Sequence, residues 1–155
     1  MDINFDAIWE QMTERFALSE RSVHGPSHWK NVERNGLRLA KLNGANATVV
    51  KLFAVIHDVE RESDGYDPEH GRRAAKVAQE LYGVEFDLPD AQMEQLLEAL
   101  KYHNDGLTSE DVTIGTCWDA DRMDLPRVGI QPEPKYMSTE LGKEFAARFQ
   151  YKNRG

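Results

Sequence analysis

Five histidines and several acidic residues are the side chains whose types could carry chemistry in this chain of 155 residues. His57 and Asp58 are adjacent, and they follow an apolar run at 49–56 whose single charge is Lys51. An imidazole and a carboxylate at the end of a buried segment are costly to leave without partners, so they are either satisfied locally or bind a metal. Both ligand types suit first-row metals: manganese, iron, cobalt, nickel or zinc.

Helical phase places further histidines and one more acid beside this pair. His28 lies in the first turn of a helix, and His70 and His103 fall on the apolar stripes of two others. Asp121 is in phase with apolar neighbours, whereas Asp119 points to another face. A lone inward histidine is more often a hydrogen-bonded core residue. Four inward histidines with two inward acids favour a metal site in a helical bundle, because each buried polar group needs its own partner.

The elements that must position these residues are predicted to be helices. Apolar residues recur at helical spacing and no hairpin signal occurs, so we expect an all-α fold of about seven helices. The predicted helices are about 5–18, 26–43, 48–59, 68–82, 90–103, 109–125 and 138–149. A strand competes for 49–58, because Val, Ile and Phe favour strands. Thr48 as an N-cap and the helical flanks favour a helix there.

Several finer features follow from the same patterns. We expect Asp67 to cap the fourth helix with Pro68 at its first position, and Pro126 to end the sixth. Leu42 is expected to face inward with the rest of its stripe. Three residues form the predicted inner stripe of the last helix: Leu141, Phe145 and Phe149. Trp29 and Trp118 are expected in the core or a pocket wall.

Length, charge and cysteine content narrow the class of protein. The chain is long enough for one domain with a core, and we expect a single domain over residues 1–155. A net charge of −8 argues against bulk binding to nucleic acid or to an anionic membrane. One cysteine, an acidic N-terminus and no long apolar run predict a cytoplasmic protein without a membrane span. The Pro-rich loop 131–134 and the final helix could pack on their own core or in a homodimer.

Three segments in order carry a family resemblance. The first, 24–32, is a helix-opening His-Trp followed by Val; the second, 53–58, ends in His-Asp; the third, 120–123, reads Ala-Asp-Arg-Met. Together they resemble the motifs of the HD superfamily of metal-dependent phosphohydrolases. The resemblance covers about residues 24–129, and it implies a compact all-α HD domain with the helix at about 138–149 outside the motif-bearing core.

The resemblance implies a set of metal ligands. A divalent first-row transition metal would be bound by four side chains: His28, His57, Asp58 and Asp121. His70 and His103 resemble the extra histidines of members with two metals, so a second ion has room there, and Asp58 would bridge. Such histidines occur in phosphodiesterases and in diiron oxygenases of the superfamily.

The resemblance also implies metal-activated water as the nucleophile on phosphorus. HD nucleotidases with a catalytic Glu place it four residues after the central His, and this chain has Arg61 at that position. The Gly-Tyr-Pro motif of cyclic-dinucleotide enzymes is also absent. Both substrate classes are thereby disfavoured. We expect a nucleotide or other small phosphorylated metabolite as substrate and Arg61 and Glu62 as catalytic residues. Lys30, Arg61 and Arg122 are the expected substrate-binding cations.

Two other functions stay open from the sequence. One is an HD-type diiron oxygenase, and the other is a non-catalytic, nucleotide-binding HD module; the complete ligand set argues against the second. Asp119 and Asp124 are expected either to orient ligand imidazoles or to lie on the helix surface. For His24 a plain loop histidine is favoured over a substrate contact, and Asp64 lies on the loop that would roof the site.

Overall fold

The computed structural model describes residues 2–153, and of residues 150–153 it describes the backbone alone. Its α-helices are α1 Phe5–Arg15, α2 Pro26–Asn43, α3 Ala47–Ile56, α4 His70–Leu81, α5 Asp90–Tyr102, α6 Val112–Arg122 and α7 Glu140–Asn153. Two 3₁₀ helices, Leu125–Val128 and Pro134–Tyr136, lie between α6 and α7. Within residues 2–153 the only β pairing is an isolated bridge between Tyr82 and Phe86, so the all-α prediction is confirmed.

Helix α3 is the centre of the bundle. It packs against α2, α5 and α6 and also touches α1 and α4, and all but its first two residues and Lys51 are buried. The run that could have been a strand is therefore a helix, because its apolar side chains find neighbours on every side. Thr48 was wrong as the N-cap: the side chain of Asn46 accepts a hydrogen bond from the Val49 backbone N–H at 3.0 Å.

Helix α2 lies against α3 and α6 at close range. A Cβ at Gly36 would lie 2.4 Å from Val50 Cγ1, so glycine is what lets the two helices approach. The helix begins at Pro26 as predicted and ends before Gly44, whose φ of 80° closes it in the left-handed conformation. Leu42 is 73% exposed, which contradicts its predicted inward position, because the last turn of α2 faces the bundle through the buried Leu39 and through Asn43, which donates a hydrogen bond to α6.

The predicted helix ends needed further correction. Helix α1 ends three residues before Leu18, and Pro126 lies in a 3₁₀ helix after α6 rather than at its end. Asp67 does not cap α4, because its carboxylate accepts hydrogen bonds from Arg73 Nη2 and from the Glu62 backbone N–H. In α7, Gly142 and Ala146 are buried, and the predicted stripe one position away, at 141, 145 and 149, is half-buried.

Asp119 joins α6 to the start of α7. It is wholly buried, and its oxygens accept hydrogen bonds from the backbone N–H groups of Ser138 and Thr139 and from the Thr139 hydroxyl. Burial raises its pKa, although these hydrogen bonds oppose the shift. Asp119 is therefore neither a surface acid nor a partner of a ligand imidazole; it holds the last helix on the bundle.

Trp29 and Trp118 lie in the core, as predicted. Both are buried, and each indole N–H donates to a backbone carbonyl: Trp29 to His24 and Trp118 to Ala99. Among the described helices, none combines the length and the apolar character that crossing a bilayer requires. Residues 1, 154 and 155 of the predicted domain lie outside the described part of the chain.

Candidate metal centre

The predicted ligands lie at neighbouring helix ends. His28 is in the first turn of α2, His57 and Asp58 follow α3, and His70 begins α4. The other two are His103, directly after α5, and Asp121, near the end of α6. All are buried except Asp121, whose side chain is 18% exposed. Five helices therefore bring to one place residues that are far apart in sequence.

Four of these side chains form the first cluster. His28 Nε2 lies 3.1 Å from His57 Nε2, 3.4 Å from Asp58 Oδ2 and 3.0 Å from Asp121 Oδ1. His57 Nε2 lies 3.4 Å from Asp58 Oδ2 and 3.6 Å from Asp121 Oδ1. Ligand atoms about 2.0–2.2 Å from one ion are themselves separated by roughly 3–3.6 Å, so this spacing fits a common cation.

The second cluster shares Asp58 with the first. His70 Nε2 lies 2.9 Å from His103 Nε2 and 3.2 Å from Asp58 Oδ1, and His103 Nε2 lies 3.4 Å from the same oxygen. Asp58 thus turns Oδ2 toward the first cluster and Oδ1 toward the second. Each of the two groups, His28-His57-Asp58 and Asp58-His70-His103, has donor atoms close enough to hold one ion.

Each of the four imidazoles turns Nδ1 away from the clusters and toward an acceptor. His57 donates to the Ala54 carbonyl at 2.9 Å, His70 to the Asp67 carbonyl at 2.5 Å and His103 to the Leu100 carbonyl at 2.7 Å. The fourth, His28, donates to Asp124 Oδ2 at 2.7 Å. Because these oxygens only accept, Nδ1 carries the hydrogen, and in a neutral ring the Nε2 lone pair faces the cluster. Metal-ligating histidines are oriented by such bonds.

Lone pairs that face each other at this range need a cation between them. Two pairs of Nε2 atoms, His28–His57 and His70–His103, are 3.1 and 2.9 Å apart, beside carboxylate oxygens. A proton on one nitrogen relieves one such contact, and a divalent ion relieves all of them at once. The donor set of imidazoles and carboxylates therefore fits a first-row divalent metal at each cluster.

The pKa values of the cluster reflect the same crowding. Burial alone would lower the pKa of His28, but hydrogen bonds to Asp121, Asp124 and Asp58 outweigh it and raise the pKa to about 11. Burial alone would raise the pKa of Asp58 and of Asp121, but the neighbouring His57 and further histidine hydrogen bonds hold both well below the usual range. The cluster therefore favours positive charge at its centre, which either a proton on His28 or a metal cation can supply.

A cavity of about 650 Å³ opens above the clusters, which reach it through four side chains: Asp58, His70, His103 and Asp121. Three arginines line its walls, Arg61, Arg122 and Arg127. Arg61 is buried, with Nε 3.8 Å from Asp58 Oδ1, and its Nη1 donates to the carbonyls of Ser63 and Gly65. Its Nε has no hydrogen-bond partner among the described residues.

The structure places two predicted site residues away from this cavity. Lys30 is exposed and lines a separate groove between α1 and α2. The Glu62 side chain is 76% exposed and points to Arg73, at 3.7 Å, because the chain turns outward after Arg61. Lys30 follows His28 by two residues on a helix and so faces another side, which phase alone could have revealed.

His24 lies in the site, although the sequence predicted a plain loop histidine. Its Nδ1 is 3.5 Å from Asp58 Oδ2 and its Nε2 is 3.2 Å from the Asp64 carbonyl oxygen. The bond from Ser22 Oγ to Asp64 Oδ1, at 2.5 Å, ties the two loops together. A contact between loops some 40 residues apart leaves no periodic signal. The motif spacing, with His24 four residues before His28, was the one available clue.

The fold is similar to that of a solved protein. A crystal structure described as a predicted HD superfamily hydrolase from an uncultured Thermotogales bacterium matches with a TM-score of 0.75 and 22% sequence identity, over 96% of this chain and 86% of that one. No protein-family model and no curated protein matches the chain. The similarity confirms the predicted HD-domain fold.

Proposed function

We propose that this chain, which has the HD-domain fold, is a metal-dependent phosphohydrolase that acts on a small phosphorylated metabolite. The observation that carries the proposal is the pair of buried His/Asp clusters joined by Asp58 at the floor of an arginine-lined cavity. A centre of imidazoles and carboxylates open to solvent on one side is typical of hydrolytic metal sites.

The residues that would hold the metal divide into two sets. His28, His57, Asp58 and Asp121 would hold the first ion; Asp58, His70 and His103 would hold a second. A bound divalent cation supplies Lewis-acid chemistry, because it lowers the pKa of a water and neutralises charge on phosphoryl oxygens. Manganese, iron, nickel, cobalt and zinc all accept these ligands, and the donor set does not distinguish among them.

Arg61 is the residue best placed to bind the phosphoryl group. Its Nε is buried and has no hydrogen-bond partner within the described part of the chain, and it lies 3.8 Å from Asp58 Oδ1 at the cavity wall. Two backbone carbonyls fix Nη1, so the guanidinium is held in place before substrate arrives. A positioned N–H donor of this kind stabilises charge on a phosphoryl oxygen at no cost of reorganisation. In an acidic protein such a local cation is what admits an anionic substrate.

The test is to strip the purified protein with a chelator and reload it with manganese, iron, cobalt, nickel or zinc. Metal content is measured first, and hydrolysis of a panel of phosphomonoesters, phosphodiesters and pyrophosphates is measured next. We expect up to two equivalents of metal and metal-dependent release of phosphate that Arg61→Gln lowers. Glu62→Gln, a change at the neighbouring exposed side chain, is the matched control and should leave activity unaltered. Metal binding without hydrolysis of any phosphoester would overturn the proposal.

The carboxylate of Asp58, which the two clusters share, also supports a second candidate function. Two adjacent clusters bridged by one Asp fit a diiron centre, as in the oxygenases of the superfamily. That candidate predicts preferential binding of iron and consumption of oxygen, which an oxygen electrode would detect. The arginines in the cavity favour phosphate chemistry over it. A cytoplasmic location and a homodimer stay predictions.

A further inference from the structure

Arg122 is a buried cation whose hydrogen bonds are incomplete. It is 9% exposed; its Nη1 donates to the carbonyls of Leu107 and Tyr136, at 2.6 and 2.5 Å. Its Nη2 is buried and has no hydrogen-bond partner among the described residues, and none of their carboxylates lies within ion-pair distance of the guanidinium. Buried donors of charged groups are costly to leave unpaired, so this nitrogen is poised for an acceptor on a ligand.

A second, smaller pocket adjoins the cavity at Arg122. Its volume is about 260 Å³, and it shares Arg122, Leu125, Ile130 and Tyr136 with the main cavity. The rest of its lining is Gln131, Pro132, Glu133 and Met137. A ligand that begins at the metal clusters can therefore extend past Arg122 into a pocket whose walls are mainly hydrocarbon.

The size and character of this pocket limit what it can take. A dry cavity of about 150 Å³ lined by apolar residues holds benzene, so the pocket has room for one substituted ring or a short branched chain. Burying such a group in apolar surroundings favours binding by an amount that scales with its area. A strongly polar group such as a polyol would lose much of its hydration there and gain few hydrogen bonds in return, because the exposed wall of the pocket is mainly hydrocarbon.

We propose that Arg122 and this adjoining pocket form the leaving-group subsite, and that the substrate is a phosphomonoester whose leaving group carries an apolar ring or branched chain and one anionic oxygen for Arg122 Nη2. This inference rests on the proposed function for the phosphoryl end of the ligand. The apolar part of the leaving group lies against Ile130 and Met137, and Arg122 Nη2 donates a hydrogen bond to the anionic oxygen at the entrance of the pocket.

Non-hydrolysable phosphonates test the subsite by binding alone. Affinities of the manganese-loaded protein for methylphosphonate, benzylphosphonate and 4-carboxybenzylphosphonate are measured by titration calorimetry. We expect benzylphosphonate to bind at least about tenfold more tightly than methylphosphonate, because the ring is buried. The carboxylate should add a further gain of roughly tenfold, as expected of a charge-assisted hydrogen bond. Equal affinities for all three would overturn the inference.

Two variants separate the parts of the subsite. Ile130→Asp, at a half-exposed position where folding should survive, should abolish the preference for benzylphosphonate over methylphosphonate. Val84→Asp, at an exposed valine outside both cavities, is the matched control and should preserve that preference. Arg122→Gln should abolish the gain from the carboxylate alone; Arg122→Lys, which keeps the charge, should restore part of it. A preference that survives Ile130→Asp would refute the assignment.

Hydrolysis assays keep this inference distinguishable from the proposed function. If no phosphoester is hydrolysed but the phosphonate preferences and their loss in the variants hold, the proposed function fails and the subsite stands. If phosphoesters are hydrolysed and methyl and benzyl phosphonates bind alike, the proposed function stands and the subsite is wrong. The ratio of kcat/KM for phenyl phosphate to kcat/KM for glycerol phosphate gives the corresponding comparison in a hydrolysis assay.

Discussion

The two histidine clusters share Asp58 but differ in the negative charge around them. The first has a second carboxylate, Asp121, and a third acid, Asp124, that accepts a hydrogen bond from His28. The second has only one oxygen of Asp58, and both of its imidazoles donate to backbone carbonyls. Cation affinity grows with ligand charge, so the first cluster should fill first and the second should bind a more weakly held ion.

Asp58→Asn is the change that should break both clusters at once. The amide removes the charge shared by the two sites and offers a single carbonyl oxygen, so we expect neither ion to remain bound. Hydrolysis should fall by well over roughly 100-fold, which is the loss typical when a residue that only hydrogen-bonds to a metal ligand is replaced. Elemental analysis of the dialysed protein measures this. Asp105→Asn, at an exposed acid after α5, is the control. Retention of one equivalent in Asp58→Asn would mean that the clusters do not depend on a common carboxylate.

Gly71→Ala should break the second cluster without removing a donor atom. A Cβ at this position would lie 2.6 Å from the Leu100 carbonyl oxygen and 2.8 Å from that of Lys101, so α4 must move away from the end of α5. His70 and His103 would then separate, and metal content should fall from two equivalents to one. Gly65→Ala is the matched control, since a Cβ there meets nothing within 4 Å. Unchanged stoichiometry would show that the second cluster tolerates the movement.

Asp124→Asn should weaken the first cluster selectively. The carboxylate accepts the Nδ1–H of His28, and losing such an outer partner typically lowers metal affinity by about 10–100-fold. Competition with a chromogenic chelator measures the affinities of the two sites separately. The second site should change less than twofold, because its imidazoles bond to carbonyls. Equal weakening at both sites would remove the distinction drawn between them.

The last expected effect is on the pH dependence of stability in the chelated protein. His28 has a pKa of about 11 in the folded protein and an ordinary value of 6.5, so between these values the folded state holds a proton that the unfolded chain releases. The stabilisation is complete below about pH 6.5 and is lost as the pH rises toward 11. The Tm in chelator should therefore fall from pH 7 to 9.5 more steeply than the Tm with manganese. Parallel profiles would contradict this.

Much of the cluster was predictable from helical phase and motif order. His70 and His103 were identified because they continue apolar stripes, and Asp121 was separated from Asp119 by its phase. Phase describes one face of one helix, so it could not reveal that Asp119 would bind the start of α7, or that His24 would be carried to Asp58 by a loop. The cavity walls come from the loops around Gly106 and Ile130, whose paths depend on tertiary contacts.

Three of the imidazoles are anchored in the same manner: His57, His70 and His103 each donate Nδ1–H to the carbonyl three residues earlier in the chain. The orientation of each of these imidazoles is therefore set by hydrogen bonding within one turn of the chain, and it does not depend on assembly of the bundle. Docking the helix ends is then the remaining requirement for capturing a cation, and the free energy of capture adds to the free energy of unfolding. A growth medium poor in transition metals would yield a protein that unfolds more easily, with every side chain unchanged.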